Sequence, residues 1–169
     1  MSMSNYRHNS NNRGGGPGQH YSRGSGGEGH SPTPLQPDAP IKFYTDEAKT
    51  KLIANVFSDQ AEKAADKIRD ELNSAQLRRF FGEMKGYYQR WKNQSKSAEV
   101  FDTILPLIKL MKSKVFYATN PKKRKIPNTF ASFLLGGINQ IQDGKDFEAF
   151  ILYFEAVVGF MYGKGMVSK

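Results

Sequence analysis

The stretch "SAQLRRFFGEMKGYYQRWKN", residues 74–93, decides how the rest of the chain is read. Leu77, Phe80, Phe81, Met84, Tyr87, Tyr88 and Trp91 recur at i, i+3, i+4, i+7 spacing, which puts them on one stripe of a helix. Asn73 or Ser74 can cap its start, and Asn73 with Gln76 approximates a capping box. Arg78, Arg79, Lys85, Gln89, Arg90 and Lys92 fall on the polar side. Gly82 and Gly86 lie there too, although each costs about 1 kcal/mol against Ala in a helix interior. Their presence predicts that something, such as another backbone, approaches that face closely.

The same period continues downstream. Residues 98–118, "AEVFDTILPLIKLMKSKVFYA", carry a wide apolar face of Phe101, Ile104, Leu105, Ile108, Met111 and Val115, with Pro106 expected to kink the helix. Lys109, Lys112 and Lys114 escape that stripe. Pro121 and Pro127 bracket a break, "NPKKRKIP" at 120–127, which holds Lys122, Lys123, Arg124 and Lys125 in succession. Two further helices are expected over about 128–141 and 146–162, the last apolar nearly all round. Asp143 or Asp146 starts it, and Gly163 and Gly165 mark its end. Upstream, 46–57 and 59–72 read as two shorter helices. No convincing period-2 strand appears. The fold class expected is therefore all-α, a compact bundle of about five helices spanning residues 41–169.

Residues 1–40 differ in kind. They hold 8 of the 16 glycines, 5 of the 8 prolines and all three histidines, with Leu35 as the lone large aliphatic residue of the segment's middle and end. A Gly/Pro/Ser-rich segment of this sort cannot bury enough apolar area to offset its ordering entropy, so a disordered N-terminal tail is expected. Arg13 and Arg23 among glycines resemble an RGG segment, which can bind single-stranded RNA loosely; a plain flexible tail is the simpler reading. His8, His20 and His30 are too widely spaced to suggest a metal site.

The chain has 169 residues and a net charge of +9, a balance that favours anionic partners. The excess is local. Residues 41–73 carry 6 basic and 7 acidic groups, and residues 126–169 carry 3 and 4. Residues 74–125 carry 13 basic and 3 acidic groups, net +10. Such a block suits phosphate contacts, which supply sequence-independent affinity. The positions expected to carry nucleic-acid phosphate contacts are Arg78, Arg79, Lys85 and Arg90 on one helix, Lys109, Lys112 and Lys114 on the next, and Lys122, Lys123, Arg124 and Lys125 in the loop. A merely solvated face is the alternative. Tyr87, Tyr88 and Trp91 sit where core residues belong, with base stacking as the competing role.

Catalytic constellations are missing. Residues 41–169 contain no histidine, and the chain has no cysteine, no P-loop and no G-x-S-x-G. The carboxylates are scattered, and pairing with lysines at helical spacing is expected. Glu155, inside the apolar run "LYFEAVVGF", reads as a structural ion pair with another helix rather than a general acid or metal ligand. No enzyme activity and no cofactor are expected. No run of 18 apolar residues and no apolar leader are present, so neither a membrane span nor a secretory signal is expected, and a cytoplasmic location is the expectation.

Three motifs together resemble a known family. "LNSAQLRRFFGEM" (72–84), "LIKLMKSKVFYA" (107–118) and "FEAFILYFEAVVGFMYGKG" (147–165) are similar to the small subunit of type III-A CRISPR–Cas effector complexes, the Csm complexes. Departures are visible: Ser113 stands where the family has a proline, and Asn120-Pro121 where it has Gly-Arg, with Lys122 to Lys125 following at once. Gly163-Lys164-Gly165 replaces its terminal Gly-Gly.

The resemblance implies a non-catalytic subunit that stacks in several copies along the crRNA–target RNA duplex and touches target phosphates. Its partners would be crRNA and target RNA, other subunits of the complex and further copies of itself, with no membrane. Sequence would be read by base pairing, so backbone contacts are what such a subunit needs. Cleavage belongs to other subunits in that family. The alternatives are a helical DNA-binding regulator using residues 74–88 as a recognition helix, and a purely structural adaptor.

Overall fold

The computed structural model describes residues 34–68 and 72–167. The expectations for the tail up to residue 33 and for the end of the 59–72 helix lie outside the described residues. Those described form five α-helices, named α1 (Asp59–Ile68), α2 (Ser74–Asn93), α3 (Ala98–Ala118), α4 (Asn128–Gln140) and α5 (Gly144–Gly163).

Each boundary of α2 has a local cause. The Asn73 side chain accepts the Gln76 N–H at 2.9 Å, and the Gln76 side chain accepts the Asn73 N–H at 3.1 Å, a complete capping box. At the other end, the Trp91 carbonyl accepts from both Gln94 and Lys96, and Ser95 and Lys96 adopt φ of 54° and 53° to turn the chain into α3. Ser97 then caps α3 by accepting the Val100 N–H. The α3 helix runs unbroken through Pro106, whose ring nitrogen cannot serve the Asp102 carbonyl one turn back. Asp143 caps α5 by accepting the Asp146 N–H at 2.9 Å.

Helix α5 is the axis of the bundle. It packs against α1 and α2, while α3 packs on α4 and α2, and α1 also meets α4. Phe147, Phe150 and Phe154 of α5 are fully buried among Phe130 and Phe133 of α4 and Trp91 and Phe101. Burying a side chain of this size contributes about 1.5–3 kcal/mol. Two glycines make that packing possible. A Cβ at Gly137 would stand 1.9 Å from the Phe150 ring, and one at Gly144 would stand 2.3 Å from the Trp91 ring.

Residues 46–57 are not the helix that their pattern suggests. The Asp46 carboxylate accepts the N–H groups of Thr50 and Lys51, each at 3.0 Å, and so offers the backbone a local alternative to helix. Lys49 takes a φ of 53°, and Tyr44 and Leu52 meet in an isolated antiparallel bridge. Only Ala54–Phe57 winds, as a 3-10 turn. The loop is tied to α5 by Lys49, which pairs with Asp143 at 2.7 Å and Asp146 at 2.6 Å.

Residues ahead of Ile41 also pack on the bundle. Leu35 packs against the core, and the Asp38 N–H donates to the Ser132 carbonyl at 2.9 Å. Gly136 admits this segment, since a Cβ there would meet the Asp38 carbonyl oxygen at 2.7 Å.

Candidate nucleic-acid interface

The basic block does not form one continuous face, because α2 has neighbours on both flanks. On the flank toward α5, Lys85 pairs with Glu155 at 2.6 Å and lies over the rings of Phe81 and Tyr88. Arg78 on that flank donates from Nε to the Tyr162 hydroxyl at 3.3 Å. These two cations are occupied with α5. Glu155 is thereby accounted for as a cross-helix ion pair.

Lys109 is turned inward. Its ammonium donates to the carbonyls of Ile138 (2.9 Å), Asn139 (3.3 Å) and Ile141 (2.6 Å), the open end of α4. A lysine there satisfies carbonyls that have no helical partner. Burial lowers its pKa, and the nearby Lys112 charge lowers it further. The expectation that Lys109 stands free of the apolar stripe gives way to this cap.

The opposite flank of α2 is where separate segments converge. Arg79 of α2, Lys114 and Tyr117 of α3, and Lys125 of the 120–127 loop line one hollow of about 260 Å³, together with Gln76 and Ser113. Asn120 and Lys122 join Tyr117 and Lys125 around a second hollow of about 180 Å³. No carboxylate lines either. The loop is set in place by backbone bonds. Lys125 donates its N–H to the Ala118 carbonyl at 2.8 Å, and the Asn120 side chain accepts the Lys122 N–H at 3.0 Å. Ile126, buried, anchors the end of the loop in the core.

One acidic group stands behind the cleft. Glu83 is ion-paired with Lys114 and accepts the Tyr87 hydroxyl at 2.8 Å. Burial raises its pKa, but the hydrogen bonds from Lys114 and Tyr87 and the charges of Lys114 and Arg79 outweigh that and hold it below the usual 4.5. Glu83 is therefore ionised at neutral pH and cancels part of the Lys114 charge.

Of the expected contact residues, the cleft unites Arg79, Lys114, Lys122 and Lys125. Arg124 is exposed beside it, and the Lys123 side chain lies outside the described residues. Arg90 is exposed about three turns along α2 from Arg79, on the same flank. Lys112 does not line the hollows; it lies near Lys109. The ion pairs among the described residues also join different segments rather than neighbouring turns, as Lys96–Glu148 (2.6 Å) and Lys164–Asp66 (2.9 Å) do.

The aromatic side chains of α2 belong to the core. Tyr88 is 6% exposed and donates its hydroxyl to Glu148 at 2.8 Å. Trp91 is 5% exposed and donates from Nε1 to the Ser97 carbonyl. Burial, together with Glu83 for Tyr87 and Glu148 for Tyr88, pushes both phenols up to about 12. The exposed aromatic ring at the cleft is Tyr117, 67% accessible. Its position out of phase with Phe101, Ile104, Ile108, Met111 and Val115 was the available signal. Gly82 and Gly86 are open: among the described residues a Cβ at either meets nothing within 4 Å, so no described segment approaches them closely.

Among the described residues no group of three or more His, Asp or Glu side chains could hold a metal ion, and no helix is long and apolar enough to cross a membrane. No curated protein and no solved structure matches the chain. The family model described as Csm2 Type III-A matches residues 51–164, which span all five helices and the whole cleft. That match covers about two-thirds of the 169 residues, and with the all-helical fold it agrees with the three motifs: the chain belongs to the Csm2 family of type III-A CRISPR effector small subunits.

Proposed function

We propose that this small subunit is a non-catalytic RNA-binding protein whose cleft between α2, α3 and the 120–127 loop takes the phosphates of an RNA strand. Membership of the family associates it with other Csm subunits. In the proposed role, several copies stack along the crRNA–target RNA duplex, and each contributes its cleft to the target strand in antiviral defence. Guide pairing reads the sequence, and this subunit contacts backbone.

The observation that carries the reading is the convergence of Arg79, Lys114 and Lys125, from three separate segments, on one hollow with no carboxylate in its lining. Arg90 extends the track along α2, and Lys122 and Arg124 extend it along the loop. Arginine offers a planar fork to phosphate, and lysine a mobile point charge. The regulator alternative loses support because α2 is held between α3 and α5 rather than projecting as a recognition helix.

A gel shift with the full chain at about 100 mM salt separates the readings. Retention of single-stranded RNA without sequence preference is the expected result. Preference for one duplex DNA sequence would favour the regulator, and no retention of either nucleic acid would favour the adaptor.

A further inference from the structure

Tyr117 is the largest exposed ring at the cleft, and the core does not need it. It lies on the outward side of α3, 67% accessible, while Val115 and Ala118 on either side of it are buried. The ring lines both hollows. Lys125, also shared by both, holds its ammonium 5.2 Å from the ring centroid. Arg79 and Lys114 line one of the hollows and Lys122 the other.

An aromatic ring flanked by cations suits a nucleotide better than it suits a bare anion. Phosphates sit with the ammonium and guanidinium groups, and a base can lie against the ring. In a duplex the base faces are covered by their neighbours, so only an unpaired base can use such a ring.

We infer that Tyr117 is a stacking platform for one unpaired base of an RNA strand whose adjoining phosphates occupy the two hollows. The cleft thereby takes the target strand at a nucleotide left unpaired, while a fully paired duplex can use only its phosphate contacts. This rests on the proposed RNA-binding role of the same cleft and adds the form of RNA that it takes.

The test uses the full chain and an oligoribonucleotide carrying a fluorescent adenine analogue, with a matched RNA duplex as competitor. Tyr117→Ala should weaken single-strand binding by roughly five- to a hundredfold, the range of one base–aromatic stack. It should abolish the fluorescence quench and leave duplex affinity and the salt slope unchanged. Tyr117→Phe, which keeps the ring, should retain both affinity and quench. If Tyr117→Ala binds and quenches like the parent while Arg79→Glu with Lys125→Glu loses RNA, the stacking role is wrong and the phosphate cleft stands. If the charge reversals also leave binding intact, the RNA reading of the cleft fails, and the stacking role fails with it.

Discussion

The Lys109 ammonium of α3 donates to the Ile141 carbonyl just past α4, at 2.6 Å, and reaches the Ile138 carbonyl at 2.9 Å. A lysine in the middle of a basic block is thus a structural clasp between two helices. Lys109→Met keeps the apolar stem but strands those carbonyls, at a cost of about 1–3 kcal/mol. For a chain of this size that lowers Tm by about 2–4 °C per kcal/mol. Thermal denaturation should show the loss, and RNA affinity of the folded variant should match the parent. A drop in RNA affinity at unchanged Tm would mean that Lys109 meets phosphate instead.

Glu83 restrains the cleft because it ties up Lys114. Glu83→Gln keeps an acceptor for the Tyr87 hydroxyl but removes the negative charge. The variant should bind single-stranded RNA more tightly, with a salt slope steeper by up to about 0.7 as Lys114 becomes available to one more phosphate. Titration of affinity against salt concentration reads both quantities. Weaker binding would show that the ion pair positions Lys114 rather than competing for it.

An exposed and a buried glycine should respond with opposite signs. Gly82→Ala adds a methyl into open space on a helix and should stabilise by about 0.5–1 kcal/mol. Gly137→Ala drives a methyl into the Phe150 ring and should destabilise by about 1–3 kcal/mol or more. Urea denaturation of the two variants checks the pair. Equal shifts would refute the packing described for α4 against α5.

Acid should loosen the bundle. Glu83, Glu148 and Asp143 are each raised by burial, yet hydrogen bonds and charges from Lys114, Lys96 and Lys49 respectively bring them below their usual 4.5, 4.5 and 3.8. A depressed folded pKa means that the unfolded chain binds protons first as pH falls. Their contribution is present in full above the unfolded values and is lost as pH drops through the lower folded ones. Tm should therefore be flat from pH 7 to about 5.5 and fall below about 4.5. The same scan on Lys49→Met should show a smaller acid loss, because Asp143 then loses its main partner.

Much of the fold was legible because it rests on local and periodic signals. Asn73 and Gln76 are three residues apart, and the Leu77-to-Trp91 stripe repeats over about four turns. The loop over 46–53 was not legible, since Asp46 overrides helix with side-chain bonds that periodicity ignores. The candidate site was legible as a charged block, but not the partners of its individual side chains. Lys109 meets carbonyls 29 to 32 residues away, and Lys85 meets a carboxylate 70 residues away. A flexible four-carbon stem lets a lysine choose partners that only the tertiary fold brings near. Tyr117 lies inside the 107–118 motif, but its exposure depends on how α3 is rotated against α2 and α4.

The most direct test of the central claim is the RNA affinity of Arg79→Glu with Lys125→Glu, measured against salt on the full chain. Both side chains are exposed at the cleft and, among the described residues, neither has an ion-pair partner. Single-stranded RNA binding should fall at least about tenfold, and the salt slope should become shallower by about 1.4, or 0.7 for each lost phosphate contact. Tm should stay within about 2 °C of the parent, as surface substitutions usually allow. Unchanged affinity and slope in a folded variant would contradict the claim that this cleft holds the RNA backbone.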